Sequence, residues 1–255
     1  MFQKIKYLFL VFVAIIGLFL AKIFFLDIPS LKVLNPHKTA LMQAKGGPIT
    51  QTWVEFDQIP YHLKRAIVLA EDSRFYEHGG VDYKALKLSF KKNVKKGKYV
   101  RGGSTITMQL AKNLYLTPKK ALWRKGLEIL MAIRMEQVLS KNRILEIYLN
   151  VIEWGPGIYG AKAAGQHYFR KSASELNPDE SAFLAAIIPS PIKWGKRMSP
   201  GGPYIQKRTN RIARLLNLNP SVNKKEIERE IEEARKEEEK AEMMEDGAIP
   251  DELFY

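Results

Sequence analysis

The longest apolar run, "YLFLVFVAIIGLFLAKIFFL" over residues 7–26, carries one charge, Lys22, close enough to its end for the ammonium to reach an interface. Its twenty residues suit a bilayer hydrocarbon core of about 30 Å, so the pattern predicts a single N-terminal transmembrane helix after a short segment, residues 1–6. The run outlasts the apolar stretch of a cleaved signal peptide, and no small-x-small cleavage site follows it before "FFLDIPS". Beyond it the pattern changes. Pro29, Pro36, Gly46, Gly47 and Pro48 mark residues 27–45 as a linker. Helical periodicity with punctuated starts then dominates: Thr117-Pro118 opens "KKALWRKGLEILMAIRMEQVL", Ser140 caps "KNRILEIYLN", and Asn177-Pro178 opens "DESAFLAAII". "TQTWVEF" at 50–56 is the one run that alternates as a strand does. The expectation is a mostly α domain over residues 46–219, followed by a charged tail over 220–255.

Charge sharpens this picture. The formal net charge is +14, yet residues 221–255 hold thirteen acidic and six basic side chains, net −7, which leaves +21 on the first 220. That tail, charged nearly all round, reads as a solvated helix. Lys4 and Lys6 precede the apolar run and favour a cytoplasmic N-terminus, which places everything after residue 26 outside the cytoplasmic membrane. The absence of cysteine is compatible with that compartment. From Tyr83 to Leu127 there is no Asp or Glu but there are thirteen cations: Lys84, Lys87, Lys91, Lys92, Lys95, Lys96, Lys98, Arg101, Lys112, Lys119, Lys120, Arg124 and Lys125. Such a field repels itself in the free protein, so an anionic partner is the economical explanation. Anionic lipid headgroups, at about 1 kcal/mol per basic residue near the surface, offer one, and a solvated Lys-rich helix is the plainer alternative for "KLSFKKNVKKGK".

Three places carry candidate chemistry. In "VLAEDSRFYEHGG", a helix from Tyr61 puts Glu71, Phe75 and His78 at i, i+4 and i+7, beside the core side formed by Leu63, Ile67 and Ala70. Glu71 then sits at the edge of the core, either as a chemical group or simply paired with Arg74 or His78. In "RGGSTITMQLAKNLYL", a Gly-Gly turn leads to Ser104 as a helix N-cap, where free N–H groups favour an anion, and Thr105, Gln109 and Lys112 form a polar stripe opposite Ile106, Leu110 and Leu114. Glu128 is the first acid after the cationic field. It pairs locally with Arg124 and Lys125, or serves as a second carboxylate held among cations. Two carboxylates in that setting suit glycosyl chemistry with a phosphate leaving group: one base, with cations to stabilise the departing anion.

The stretches "EDSRFYEHGGVD", "RGGSTITMQLAKNLYL", "RKGLE", "KNRILEIYLNVIEWGPGIYGAKAAGQHYF" and "ESAFLAAIIPSP" resemble, in order, the motifs of biosynthetic peptidoglycan glycosyltransferases over about residues 48–215. The length points to the monofunctional type. The resemblance implies a lysozyme-like helical fold with a membrane-touching jaw, and lipid II and the nascent glycan strand as partners. It implies that Glu71 is the catalytic base and Glu128 the second essential glutamate. Lys112, Asn113, Arg124 and Lys125 would surround the diphosphate, and Asp72, Phe75, His78, Ser104, Thr105 and Gln109 would shape the cleft. It implies no tightly bound cofactor, and allows a divalent metal (Mg or Mn) at the diphosphate and contacts with other cell-wall synthesis proteins. The expected location is the bacterial inner membrane, with the domain on the extracytoplasmic side. One departure is visible: the family usually reads S-T-x-x-Q-Q-L, and here Met108 takes the place of the first glutamine.

Other signals are set aside. "GPGIYG" at 155–160 spells G-x-G-x-x-G without the strand–turn–helix context of a dinucleotide site, and reads as a turn between helices. Ser89 and Lys92 form S-x-x-K with no K-T-G after them. His37, His62, His78 and His167 lack zinc-site spacing. A lysozyme-like hydrolase would also use carboxylates in a helical domain, but leaves thirteen cations beside a neutral glycan. A basic membrane-anchored scaffold would need neither Glu71 nor Glu128. Nucleic acid is a poor partner for a domain outside the cytoplasm.

Overall fold

The computed structural model describes residues 26–96, 103–117, 122–195 and 202–217, with isolated positions before 26 and at 229 and 233. The apolar run 7–26 and the tail 220–255 therefore lie almost wholly outside the described residues, and among those described no helix is long and apolar enough to cross a membrane.

The described chain is mostly helical: α1 (Ala40–Lys45), α2 (Tyr61–Glu71), α3 (Tyr83–Lys96), α4 (Ile106–Tyr115), α5 (Leu122–Val138), α6 (Lys141–Val151), α7 (Ala161–Phe169), α8 (Pro178–Ile187), α9 (Pro191–Gly195) and α10 (Pro203–Asn217). Two of the predicted starts are capped as their sequences require. Ser140 accepts from the Arg143 N–H, and Asn177 forms a capping box with Glu180 ahead of Pro178. The hydrophobic core is organised around α6, buried at every residue from Ile144 to Val151, and α8, which packs against α2 and α10. Helix α4 packs on α5, α6 and α1.

The expected strand at 50–56 is cut to β1 (Thr50–Gln51), because α6 side chains take the backbone groups that a neighbouring strand would have used. Asn150 accepts from the Val54 N–H at 2.8 Å and donates to the Val54 carbonyl at 2.9 Å, and Glu146 accepts from the Phe56 N–H at 3.0 Å. β1 runs parallel to β3 (Ile158–Tyr159), which pairs antiparallel with β2 (Glu153–Gly155). The G-x-G-x-x-G stretch is this small hairpin. At Gly160, φ is +84° and a Cβ would stand 2.6 Å from the Asn150 carbonyl oxygen, so the glycine is there for close approach.

Residues 27–45, expected as a linker, are folded onto the domain. Pro29–Lys32 forms a 3-10 turn, α1 follows, and Ile28 and Met42 are fully buried. Arg143 of α6 fastens this segment by donating to the carbonyls of Leu31 (2.7 Å) and Leu34 (3.0 Å) and to Asn35 Oδ1 (2.7 Å). The prolines and glycines that suggested a linker shape its turns instead.

Candidate active site

α2 delivers Glu71 as its last residue. Leu63, Ala66 and Ile67 seat the helix in the core, and the helix stops because Asp72 leaves helical geometry (φ −159°, ψ 72°). The Asp72 carboxylate turns inward, accepts from the Ile106 N–H at the start of α4 (3.1 Å), and holds His78 Nε2 at 2.9 Å. This corrects the expected helical face of Glu71, Phe75 and His78: the chain is already turning at Phe75–Glu77. Phe75 is fully buried, edge-on to His78, with Lys141 Nζ 4.3 Å from its ring centroid. Asp72, Phe75 and His78 thus brace the turn behind Glu71.

Glu71 itself is held from two sides. Gln109 Nε2 of α4 donates to Oε2 at 2.9 Å, and Arg208 Nη2 of α10 donates to Oε1 at 3.3 Å. Tyr148 of α6 donates its hydroxyl to Gln109 Oε1 at 2.8 Å. Burial pushes the Tyr148 phenol well above its ordinary range, and the Glu71 and Asp72 charges add to the rise, so it stays a donor. Four helices meet at one carboxylate whose side chain is 10 % exposed. Sequence reasoning missed Arg208 and Tyr148. Arg208 had left a signal: it shares the spacing of Ile205, Ile212 and Leu215, so a cation occupies the buried face of an amphipathic helix.

The second cluster lies between α4, with the residues just before it, and the N-terminal end of α5. Thr105, rather than the expected Ser104, caps α4: its Oγ1 accepts from the Met108 N–H (3.1 Å) and donates to the Gly80 carbonyl (2.6 Å), so it is buried and bracing. Ser104 stands just outside and accepts from Lys125 Nζ at 2.6 Å. Glu128 is buried and takes both expected local partners, Lys125 at 3.0 Å and Arg124 at 3.3 Å. Lys112, half-buried on α4, is pushed below the usual lysine range by loss of solvent; Glu128 opposes this, while Arg124, Lys125 and Lys45 add to it. Asn113, one residue on, donates to the Gln109 carbonyl at 2.8 Å. Lys45, which pairs with Glu153, is a further cation that sequence reasoning did not place here. Of the other predicted cations, Lys84, Lys87 and Lys91 are exposed on α3, whereas Lys98, Arg101, Lys119 and Lys120 lie outside the described residues.

A family model described as Transglycosylase matches residues 38–217. The chain belongs to this family. Among similar proteins, the "Biosynthetic peptidoglycan transglycosylase" of Thiobacillus denitrificans is 47% identical over 191 residues, covering 71% of this chain and 82% of the relative. Proteins with the same description from Nitrosospira multiformis and Janthinobacterium sp. are each 42% identical, and cover 80% and 84% of this chain and 92% and 96% of their own lengths. In this transglycosylase Met108 is fully buried in a small apolar cluster with Val81 and Ala132. Among the described residues no three carboxylate or imidazole groups are placed to hold a metal ion. Both oxygens of Glu128 are engaged by the cations Arg124 and Lys125.

Proposed function

We propose that the protein is a peptidoglycan glycosyltransferase that polymerises lipid II into β-1,4-linked glycan, with Glu71 as general base. Glu71 takes the proton of the acceptor 4-hydroxyl as that oxygen attacks C1 of the lipid-linked donor. The new O4–C1 bond forms on the face opposite the breaking C1–O bond, whose electrons leave with undecaprenyl diphosphate, so an α linkage becomes β. Lys112, Arg124 and Lys125 compensate the charge developing on the diphosphate, and electrostatic compensation of this kind acts most strongly where solvent is excluded. Glu128 orders Arg124 and Lys125, and Asn113 and Ser104 line the same path. The domain works at the extracytoplasmic surface of the bacterial inner membrane, anchored by residues 7–26.

The observation that carries this reading is the Glu71 carboxylate, fixed by Gln109 and Arg208 at the end of α2. It is the geometry of a base held in place before substrate arrives. Lipid II polymerisation by Glu71→Gln should fall by about 10²- to 10⁴-fold, the usual contribution of a general base, with an unchanged circular dichroism spectrum. Chains of wild-type yield from that variant would remove Glu71 from the mechanism. Release of short sugars in place of growing chains, by the unaltered protein, would point to hydrolysis instead.

A further inference from the structure

We infer that Tyr148 is a positioning residue that fixes which end of the Gln109 amide faces the catalytic carboxylate, an inference that rests on Glu71 being the base. The two ends of a glutamine amide are nearly alike in shape and opposite in polarity: the oxygen only accepts and the nitrogen only donates. In the site, one end lies 2.9 Å from Glu71 Oε2 and the other 2.8 Å from the Tyr148 hydroxyl. Packing alone distinguishes these orientations poorly. The acceptor-only Glu71 carboxylate and the Tyr148 proton together distinguish them.

Tyr148 is fully buried in the middle of α6. Burial, and then the neighbouring Glu71 and Asp72 charges, disfavour its phenolate, so the proton stays on. A buried hydroxyl proton needs an acceptor, and Gln109 Oε1 supplies it. Nε2 is thereby aimed at Glu71. With the amide turned over, a carbonyl oxygen would face a carboxylate oxygen at the same separation, two acceptors with no proton between them, while the phenol oxygen accepted from the NH₂ group and its buried proton lost the acceptor it has in Gln109 Oε1. The Gln109 backbone sits within α4, where its carbonyl also receives Asn113 Nδ2 at 2.8 Å. The side-chain torsions are therefore the remaining freedom. Removing the hydroxyl releases the end of the amide that sets the direction of the hydrogen bond to the base.

The test is a double-mutant cycle with the full chain polymerising lipid II. Tyr148→Phe keeps the ring and its packing, and should lower kcat roughly tenfold, the scale of one lost hydrogen bond in the transition state, with KM for lipid II unchanged. Gln109→Met removes the amide while keeping its length. If Tyr148 acts through Gln109, adding Tyr148→Phe to Gln109→Met should cost nothing more. Wild-type kcat in Tyr148→Phe overturns the inference, and so does a tenfold loss that recurs in the Gln109→Met background, which would mark a role for the hydroxyl apart from the amide. Thermal midpoints of all four proteins separate a folding defect, which would follow Tyr148→Phe in both backgrounds, from the predicted coupling. Glu71→Gln run alongside distinguishes the two levels: an active Glu71→Gln removes the base and this inference together, whereas an inactive one with independent Tyr148 and Gln109 effects removes the inference alone.

Discussion

Glu71 is held in place by the residues that follow it in the chain as much as by its direct partners. Asp82 closes the turn after Glu71: its carboxylate accepts from Arg74 Nε at 3.0 Å and from the Ala85 N–H at 2.8 Å. Burial pushes the Asp82 carboxyl up, but the Ala85 N–H and the Arg74 guanidinium outweigh this and hold it below the ordinary value of 3.8. A carboxyl depressed in the folded state contributes stability above its unfolded value, and that contribution disappears as pH falls through the folded value. Asp82→Asn should therefore lower the thermal midpoint at neutral pH, and the gap to wild type should close as pH falls below 3.8, read by thermal melts across acid pH. At this scale the sequence pattern marked Glu71, Gln109, Lys112 and Glu128 as polar groups on otherwise apolar segments. It did not separate groups that face the site from groups that brace it. Asp72 and Thr105 are as polar as Glu71, and only the position of the Ile106 N–H and the Gly80 carbonyl tells that their oxygens point inward.

Helices α2 and α10 are clamped at two points. Arg65 donates to the carbonyls of Leu215 (3.2 Å) and Leu216 (3.1 Å) at the C-terminal end of α10, where a cation also suits the helix dipole. Arg208, in the middle of α10, reaches Glu71. Breaking a buried ion pair from one side leaves the other charge uncompensated, at a cost of about 3–5 kcal/mol. Arg208→Ala should accordingly lower both the thermal midpoint and polymerisation, while Arg65→Ala, which leaves the Arg208–Glu71 pair in place, should lower the midpoint by the smaller amount of one or two hydrogen bonds. Equal melting of Arg208→Ala and wild type would show that the pair contributes nothing to stability. The helices themselves were legible from caps and periodicity, Ser140 and Asn177 above all. Where local rules failed, long-range partners had intervened. Asn150 and Glu146 took the backbone groups of residues 54–56, and Asp72 ended α2 by binding the first N–H of α4.

Across the whole molecule, burial leaves a signature at alkaline pH. Loss of solvent pushes the Tyr115, Tyr159 and Tyr168 phenols from 10.0 up to about 12; the Asp27 charge adds to the first and Glu153 to the second. An unfolded chain ionises these groups near 10.0 while the folded one keeps their protons, so stability should fall as pH rises from there to about 12. Denaturant midpoints that decline over that window, with late phenolate absorbance in the native protein, check this. A flat profile would mean that the three phenols reach solvent. The sequence by itself determined the class of the protein: an apolar run of bilayer length, a helical domain, a cationic field without acids, and motifs that resemble one family. The first three follow from periodicity and charge, and the last from short stretches read as a resemblance, all of them local properties of a chain. Only the tertiary structure decided that residues 27–45 belong to the domain, that Arg208 arrives at Glu71 from 137 positions away, and that Tyr148 stands behind Gln109. Each depends on how helices distant in sequence pack around one buried carboxylate, where a group taken from water must find its partner wherever the fold supplies one.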